Sequence, residues 1–128
     1  MKSLLLVAHG SRRVASNDEV RELTKTLEKK SGSEYGFVDC CFLELAEPSI
    51  PEGIQRCIDA GASEVIVLPY FLSAGRHVFE DIPTEVKIKQ DEYPEVKICI
   101  SNYLGTSQGI TDLLLSAAQT ESSLHQAS

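Results

Sequence analysis

Four short apolar runs, each of strand length and each followed by a longer segment with helical patterning, set the tightest limit on what this chain can fold into. They are Ser3-Leu4-Leu5-Leu6-Val7-Ala8, Phe37-Val38-Asp39-Cys40-Cys41-Phe42-Leu43, Glu64-Val65-Ile66-Val67-Leu68-Pro69 and Val96-Lys97-Ile98-Cys99-Ile100. The first and third are continuous rather than alternating, which suits strands covered on both faces of a parallel sheet. The last alternates, as a strand near an edge would. Parallel strands need long crossovers, usually helices, and the intervening segments carry helix signals. Ser16 and Glu19 have capping-box spacing ahead of Val20, Leu23 and Leu27, which share one helical face. Ser49 and Glu52 repeat that spacing ahead of Ile54, Cys57 and Ile58, and Gly61 is placed to end the helix in the left-handed conformation. Residues 83 to 93 read as a weaker, charged helix, and Ile110, Leu113, Leu114 and Ala117 mark a last one. The order β-α-β-α-β-α-β-α predicts an α/β fold: a single doubly wound four-stranded parallel sheet flanked by helices, with right-handed crossovers.

A chain of 128 residues can bury one ordinary core without metal or disulfide staples. Apolar residues at 42% and charged residues at 24% favour neither disorder nor a membrane protein. The longest apolar runs are too short to span a bilayer. After Met1-Lys2 the first run stops at Ala8, too early for a signal peptide, so the expected location is the cytoplasm. A formal net charge of -7 opposes a nucleic-acid partner, which would call for a basic face. Cys40, Cys41, Cys57 and Cys99 lack C-x-x-C spacing and read as small buried hydrophobes.

In open parallel sheets, ligands bind beyond the carboxyl ends of the strands, near the point where strand order reverses. His9-Gly10-Ser11 follows the first strand, Glu44 the second, and the segment from Tyr70 to His77 the third, so the three emerge on one rim. Imidazole suits borderline ions such as cobalt, nickel, iron and zinc, and a nearby carboxylate can serve as a third ligand or as a base. Two histidines and a glutamate leave coordination positions open, as a site must if it passes its metal on. Three of the five arginines, Arg12, Arg13 and Arg76, lie beside the histidines and would make a basic patch suited to a polycarboxylate. Plainer roles suit other residues. Glu47 precedes a helix, where the dipole favours acids; Gly10 and Gly75 fit turns; His125 falls in a polar tail.

At these motifs the chain resembles the short form of the class II chelatases, the sirohydrochlorin cobaltochelatase and ferrochelatase family. The matching stretches are Leu4 through Arg12, Phe42 through Ser49, Val67 through Val78, and Glu80-Asp81-Ile82-Pro83. The resemblance implies a chelatase domain over residues 1–118, followed by a polar tail over 119–128. It implies His9, His77 and Glu44 as the metal-binding and catalytic residues, Glu44 being the acidic residue that accompanies the two histidines. It also implies a divalent metal as substrate (Co2+ first, or Fe2+ or Ni2+), no organic cofactor, sirohydrochlorin as the tetrapyrrole partner, and a homodimer with no nucleic-acid or membrane partner. Ser11, Arg12, Arg13, Tyr70, Leu72, Ser73, Gly75 and Arg76 are then the expected substrate contacts. Two other readings compete: a metal or tetrapyrrole carrier without catalysis, and a histidine phosphatase-like enzyme. The second needs an arginine where Ala8 stands.

Overall fold

Strand β1 (Lys2–Ala8) is the spine of the molecule: every residue from Ser3 to Ala8 is buried. The computed structural model describes residues 1–120, apart from the side chain of His77. Strand β1 is flanked by β2 (Phe37–Phe42) on one side and β3 (Glu64–Pro69) on the other, with β4 (Lys97–Ile100) beyond β3. All pairings are parallel and the order is β2-β1-β3-β4. The expected sheet is therefore present, with the alternating strand β4 at an edge.

Alternate residues of β1 feed two apolar layers, because successive strand side chains point to opposite faces. Leu5 and Val7 pack with Cys41, Ile50, Ile54, Cys57, Val65, Val67, Ile82 and Val86, joining the sheet to helices α2 (Ile50–Asp59) and α3 (Ile82–Glu92). Leu4, Leu6 and Ala8 pack with Val38, Cys40 and Phe42 toward Val20 and Leu27 of helix α1 (Val14–Ser31). Full burial of a Leu, Ile or Val side chain is worth about 1.5–3 kcal/mol, so β1 anchors both layers. Cys40, Cys41 and Cys57 are buried free thiols. Burial pushes Cys57 up to about 12 and Cys41 well above its ordinary value, which makes both poor nucleophiles and suits the packing role.

Helix α2 follows its sequence signals. Ser49 accepts the Glu52 N–H at 3.3 Å and donates its own N–H to the Glu52 carboxylate at 2.9 Å. That backbone hydrogen bond lowers the Glu52 carboxyl below its ordinary value. Gly61 stands just past the helix at φ 103.

Three helices depart from expectation. Helix α1 begins at Val14 and not behind Ser16; Arg13 is its N-cap, without a side-chain cap. The start is held instead by Asn17, whose buried amide accepts the Ser11 N–H at 2.9 Å and donates to the Ser11 carbonyl at 2.8 Å. Two bonds to one loop residue fix the helix earlier than a Ser16 cap would. Leu23 is exposed, and the inward face uses Asn17 and Thr24 with Val20 and Leu27. Helix α3 is preceded by a five-residue π-helical turn, His77–Asp81. Pro83 then falls in the first turn of α3, where proline is tolerated. Helix α4 (Ile110–Gln119) exists, but none of its residues is buried. It extends past 118, and residues 121–128, including His125, lie outside the described residues. Among the described residues no helix is long and apolar enough to cross a membrane.

Candidate functional site

The chain moves from β1 to one side of the sheet and then across to the other, so the order β2-β1-β3-β4 reverses direction around β1. Crevices form at such switch points because neighbouring loops leave in opposite directions. Backbone hydrogen bonds carry the parallel register past the strand ends. The Leu43 N–H donates to the Ala8 carbonyl at 2.9 Å, the Glu44 N–H to the His9 carbonyl at 3.1 Å, and the Tyr70 N–H to the Val7 carbonyl at 2.8 Å. His9 is thereby held between the loops after β2 and β3.

The first consequence is a direct contact predicted only as proximity: His9 Nε2 lies 2.8 Å from Glu44 Oε1. The two side chains are 44% and 52% exposed, so the pair is open to an incoming ion and adds little to stability. On the β3 side the Phe71 ring stands 6.4 Å from the His9 ring, tilted by 59°. Among the described side chains, no group of three His, Cys, Asp or Glu residues could hold a metal ion. An imidazole and a carboxylate side by side are donors of the kind that borderline divalent ions accept. His77 begins the π-helical turn at the end of the β3 loop, and such wide turns recur at functional sites.

Gly10 explains how Glu44 reaches His9. Its φ is 96, and a Cβ there would come within 1.7 Å of the Glu44 carbonyl oxygen. Only glycine allows so close an approach. Gly10 is thus more than a turn residue, because it seats the Glu44 loop against the His9 loop.

The other expected contacts divide. Tyr70 and Leu72 line an apolar groove of about 470 Å³ together with Leu104, Ile110, Leu113 and Leu114. Arg12 and Arg13 are exposed, as the basic patch requires, and form no ion pair among the described residues. Arg76 lies 3.7 Å from Glu80 within its own turn, a surface pair of little strength. The Ser11 hydroxyl accepts the Arg13 N–H at 3.0 Å, shaping the loop. Ser73 is an exposed loop residue. The Gly75 carbonyl accepts the Val78 N–H at 3.1 Å, opening the π-helical turn. Glu47 contributes its carbonyl, which accepts from Arg21 at 2.9 Å, so its role is structural.

One residue escaped the sequence reading. Gly105, in the loop after β4, donates its N–H to the Phe71 carbonyl at 3.0 Å. A Cβ there would approach the Leu72 carbonyl oxygen to 1.8 Å. It fastens the fourth loop to the third, and a lone glycine in a loop carries no hint of which neighbour it meets. A separate cleft of about 480 Å³ lies along β2, between α1 and α2. Within it Arg56 lies 3.7 Å from Asp39, and its Arg21 pairs with Asp18 on the same helix at 2.9 Å, so it reads as a solvated, salt-bridged surface.

The rim and its sheet match a known family: the CbiX profile covers residues 3–121. The chain belongs to the CbiX family. Its relatives include the sirohydrochlorin ferrochelatase of Priestia megaterium, 31% identical over 115 residues, a match covering 90% of this chain and 42% of that protein. The sirohydrochlorin cobaltochelatase of Sulfolobus acidocaldarius is 30% identical over 119 residues, covering 93% of this chain and 91% of that one. Among solved structures, the sirohydrochlorin chelatase SirB from Bacillus subtilis subspecies spizizenii, in complex with cobalt, superposes with a TM-score of 0.81. The match has 25% identity and covers 92% of this chain and 50% of that chain. The chain thus spans half or less of the longer relatives and nearly all of the short one. The CbiX family match falls on the same strands and rim loops that carry His9, Glu44 and the Tyr70 to His77 segment.

Proposed function

We propose that this protein is a cytoplasmic sirohydrochlorin chelatase that exchanges two pyrrole N–H protons for one divalent metal ion, with Co2+ first among Co2+, Fe2+ and Ni2+. The observation that carries the reading is the 2.8 Å His9–Glu44 pair, exposed at a β1 switch point beside an aromatic and apolar wall. Names of relatives from a bacterium and an archaeon support the same substrate.

In this mechanism the neutral imidazoles of His9 and His77 hold the incoming cation at the rim, because an imidazole ligates through a deprotonated nitrogen. Glu44 orients His9 and is the proposed acceptor for the protons that leave the pyrrole nitrogens as the metal enters. Arg12, Arg13 and Arg76 grasp peripheral carboxylates, which guanidinium pairs bidentately. Tyr70 and Leu72 face the macrocycle, and Ser11, Ser73 and Gly75 shape the loops around it. The charge balances without a redox step: one doubly charged cation replaces two protons.

The test is an anaerobic multiple-turnover assay following the absorbance of sirohydrochlorin with each metal. A chelatase converts many equivalents per protein; a carrier stops at one, and that result would remove catalysis from the proposal.

The working unit is proposed to be a homodimer. Helix α4 carries a broad apolar side opposite Asp112, Ser116 and Gln119, and such a side is normally buried, yet Leu113, Leu114 and Leu115 are 60%, 58% and 59% exposed. A second copy would cover them and close the half-open groove over a large macrocycle. Sedimentation at micromolar concentration is expected to give a dimer for the wild type and a monomer for Leu114→Asp. A fully active wild-type monomer would overturn the dimer without touching the chemistry.

A further inference from the structure

Among the described residues, Leu45 is the one non-glycine residue with a positive φ, at 65. Leucine avoids this left-handed region because its Cβ crowds the following carbonyl, and glycine or asparagine is the usual occupant. The chain places glycine at its other described positive-φ positions, Gly10, Gly32 and Gly61. The Leu45 side chain is 54% exposed, so burial in the core does not explain why a large apolar residue sits in a disfavoured conformation.

The backbone around it explains how the conformation persists. Upstream, the Glu44 N–H is bonded to the His9 carbonyl, and the Glu44 carbonyl is seated against Gly10. Downstream, Arg21 binds the Glu47 carbonyl at 2.9 Å, and the Phe42 N–H donates to the Pro48 carbonyl at 2.8 Å. The loop is pinned on both sides, and Leu45 adopts the torsion left to it. Strain held by over-determined surroundings concentrates at ligand clamps, and this strained residue directly follows the carboxylate that touches His9.

We propose that Leu45 is a substrate-contact residue: it presents an apolar platform to the flat conjugated ring, beside the metal pair. The inference rests on the chelatase reading and adds a contact that charge and metal chemistry do not supply. It assigns the affinity for the macrocycle partly to an exposed leucine and leaves metal affinity to His9 and His77, with Glu44 orienting His9.

The experiment compares Leu45→Gly, Leu45→Ala and Leu45→Met with the wild type in four measurements. These are sirohydrochlorin binding without metal, insertion kinetics, Co2+ binding without tetrapyrrole, and sedimentation. Expected results are a KM and a dissociation constant for sirohydrochlorin raised about tenfold in Leu45→Gly and Leu45→Ala, with kcat within about twofold and Co2+ affinity unchanged. Leu45→Met restores the KM. Leu45→Gly also melts a few degrees above Leu45→Ala, because glycine relieves the torsion. Wild-type KM in both truncated variants would overturn the inference, as would a KM change that merely follows loss of the dimer. A wild type that neither binds nor metallates sirohydrochlorin overturns the chelatase reading itself, and this inference with it, before any variant is compared.

Discussion

Replacing His9 with alanine is expected to lower metal insertion at least about a hundredfold, while the melting temperature stays within a few degrees of the wild type. Both halves follow from the geometry. The imidazole and its Glu44 partner are both about half exposed, so losing their bond removes about 1 kcal/mol of stability or less. Chemically, the proposed site loses a ligand, whereas losing an outer-shell partner of a metal-binding histidine costs about 10–100-fold in affinity or activity. Glu44→Gln should therefore fall between His9→Ala and the wild type: the amide keeps a hydrogen-bonding group near Nε2 but cannot accept a proton as a carboxylate does. His77→Ala is expected to match His9→Ala. Calorimetric titration with Co2+ and initial insertion rates provide the check. Wild-type rates in both histidine variants would remove these residues from the mechanism.

Gly10→Ala carries the second large effect, and it acts on the fold and the site together. A left-handed φ of 96 strains any residue with a Cβ, and that Cβ would meet the Glu44 carbonyl oxygen at 1.7 Å. The obstacle is backbone, so no rotamer change relieves it; the loop after β2 must move. Strain and displacement together should destabilise the protein by roughly 2–4 kcal/mol, measured by denaturant unfolding. Insertion should fall at least as far as in Glu44→Gln, because the carboxylate leaves its place beside His9. Gly75→Ala is the control for stability: a Cβ there meets nothing within 4 Å, so its unfolding free energy should stay within about 0.5 kcal/mol of the wild type. If Gly10→Ala unfolds at the wild-type midpoint, the close approach of the two loops is wrong.

Much of the architecture was legible because it is written in local periodicity. The unbroken apolar run from Leu4 to Ala8 demands cover on both faces, and β1 has it. The spacing of Ser49 and Glu52 needs only four residues to be read, and both of its hydrogen bonds form. The pattern at Ser16 and Glu19 looked the same and was not used, because Asn17 found two partners in the Ser11 backbone. Nothing within the helix itself could reveal that competition. Helix α4 shows the same limit on a larger scale: Ile110, Leu113, Leu114 and Ala117 correctly marked a helix and its groove-lining face, but periodicity does not say whether a helix meets its own sheet or another surface.

The order of strands and helices is a property of the sequence alone, and with it comes the choice of rim, since parallel strands must all end on the same side. That determined that His9, Glu44 and the segment to His77 would face one region. Which atoms touch was decided by the tertiary structure. The 2.8 Å contact of His9 with Glu44, the seating of Gly10 against the Glu44 carbonyl, the docking of Gly105 on Leu72 and the torsion of Leu45 all depend on the register between neighbouring strands and on how their loops settle. Those relations join residues 35 or so positions apart, and a pattern that repeats every two or every 3.6 residues carries no information about them.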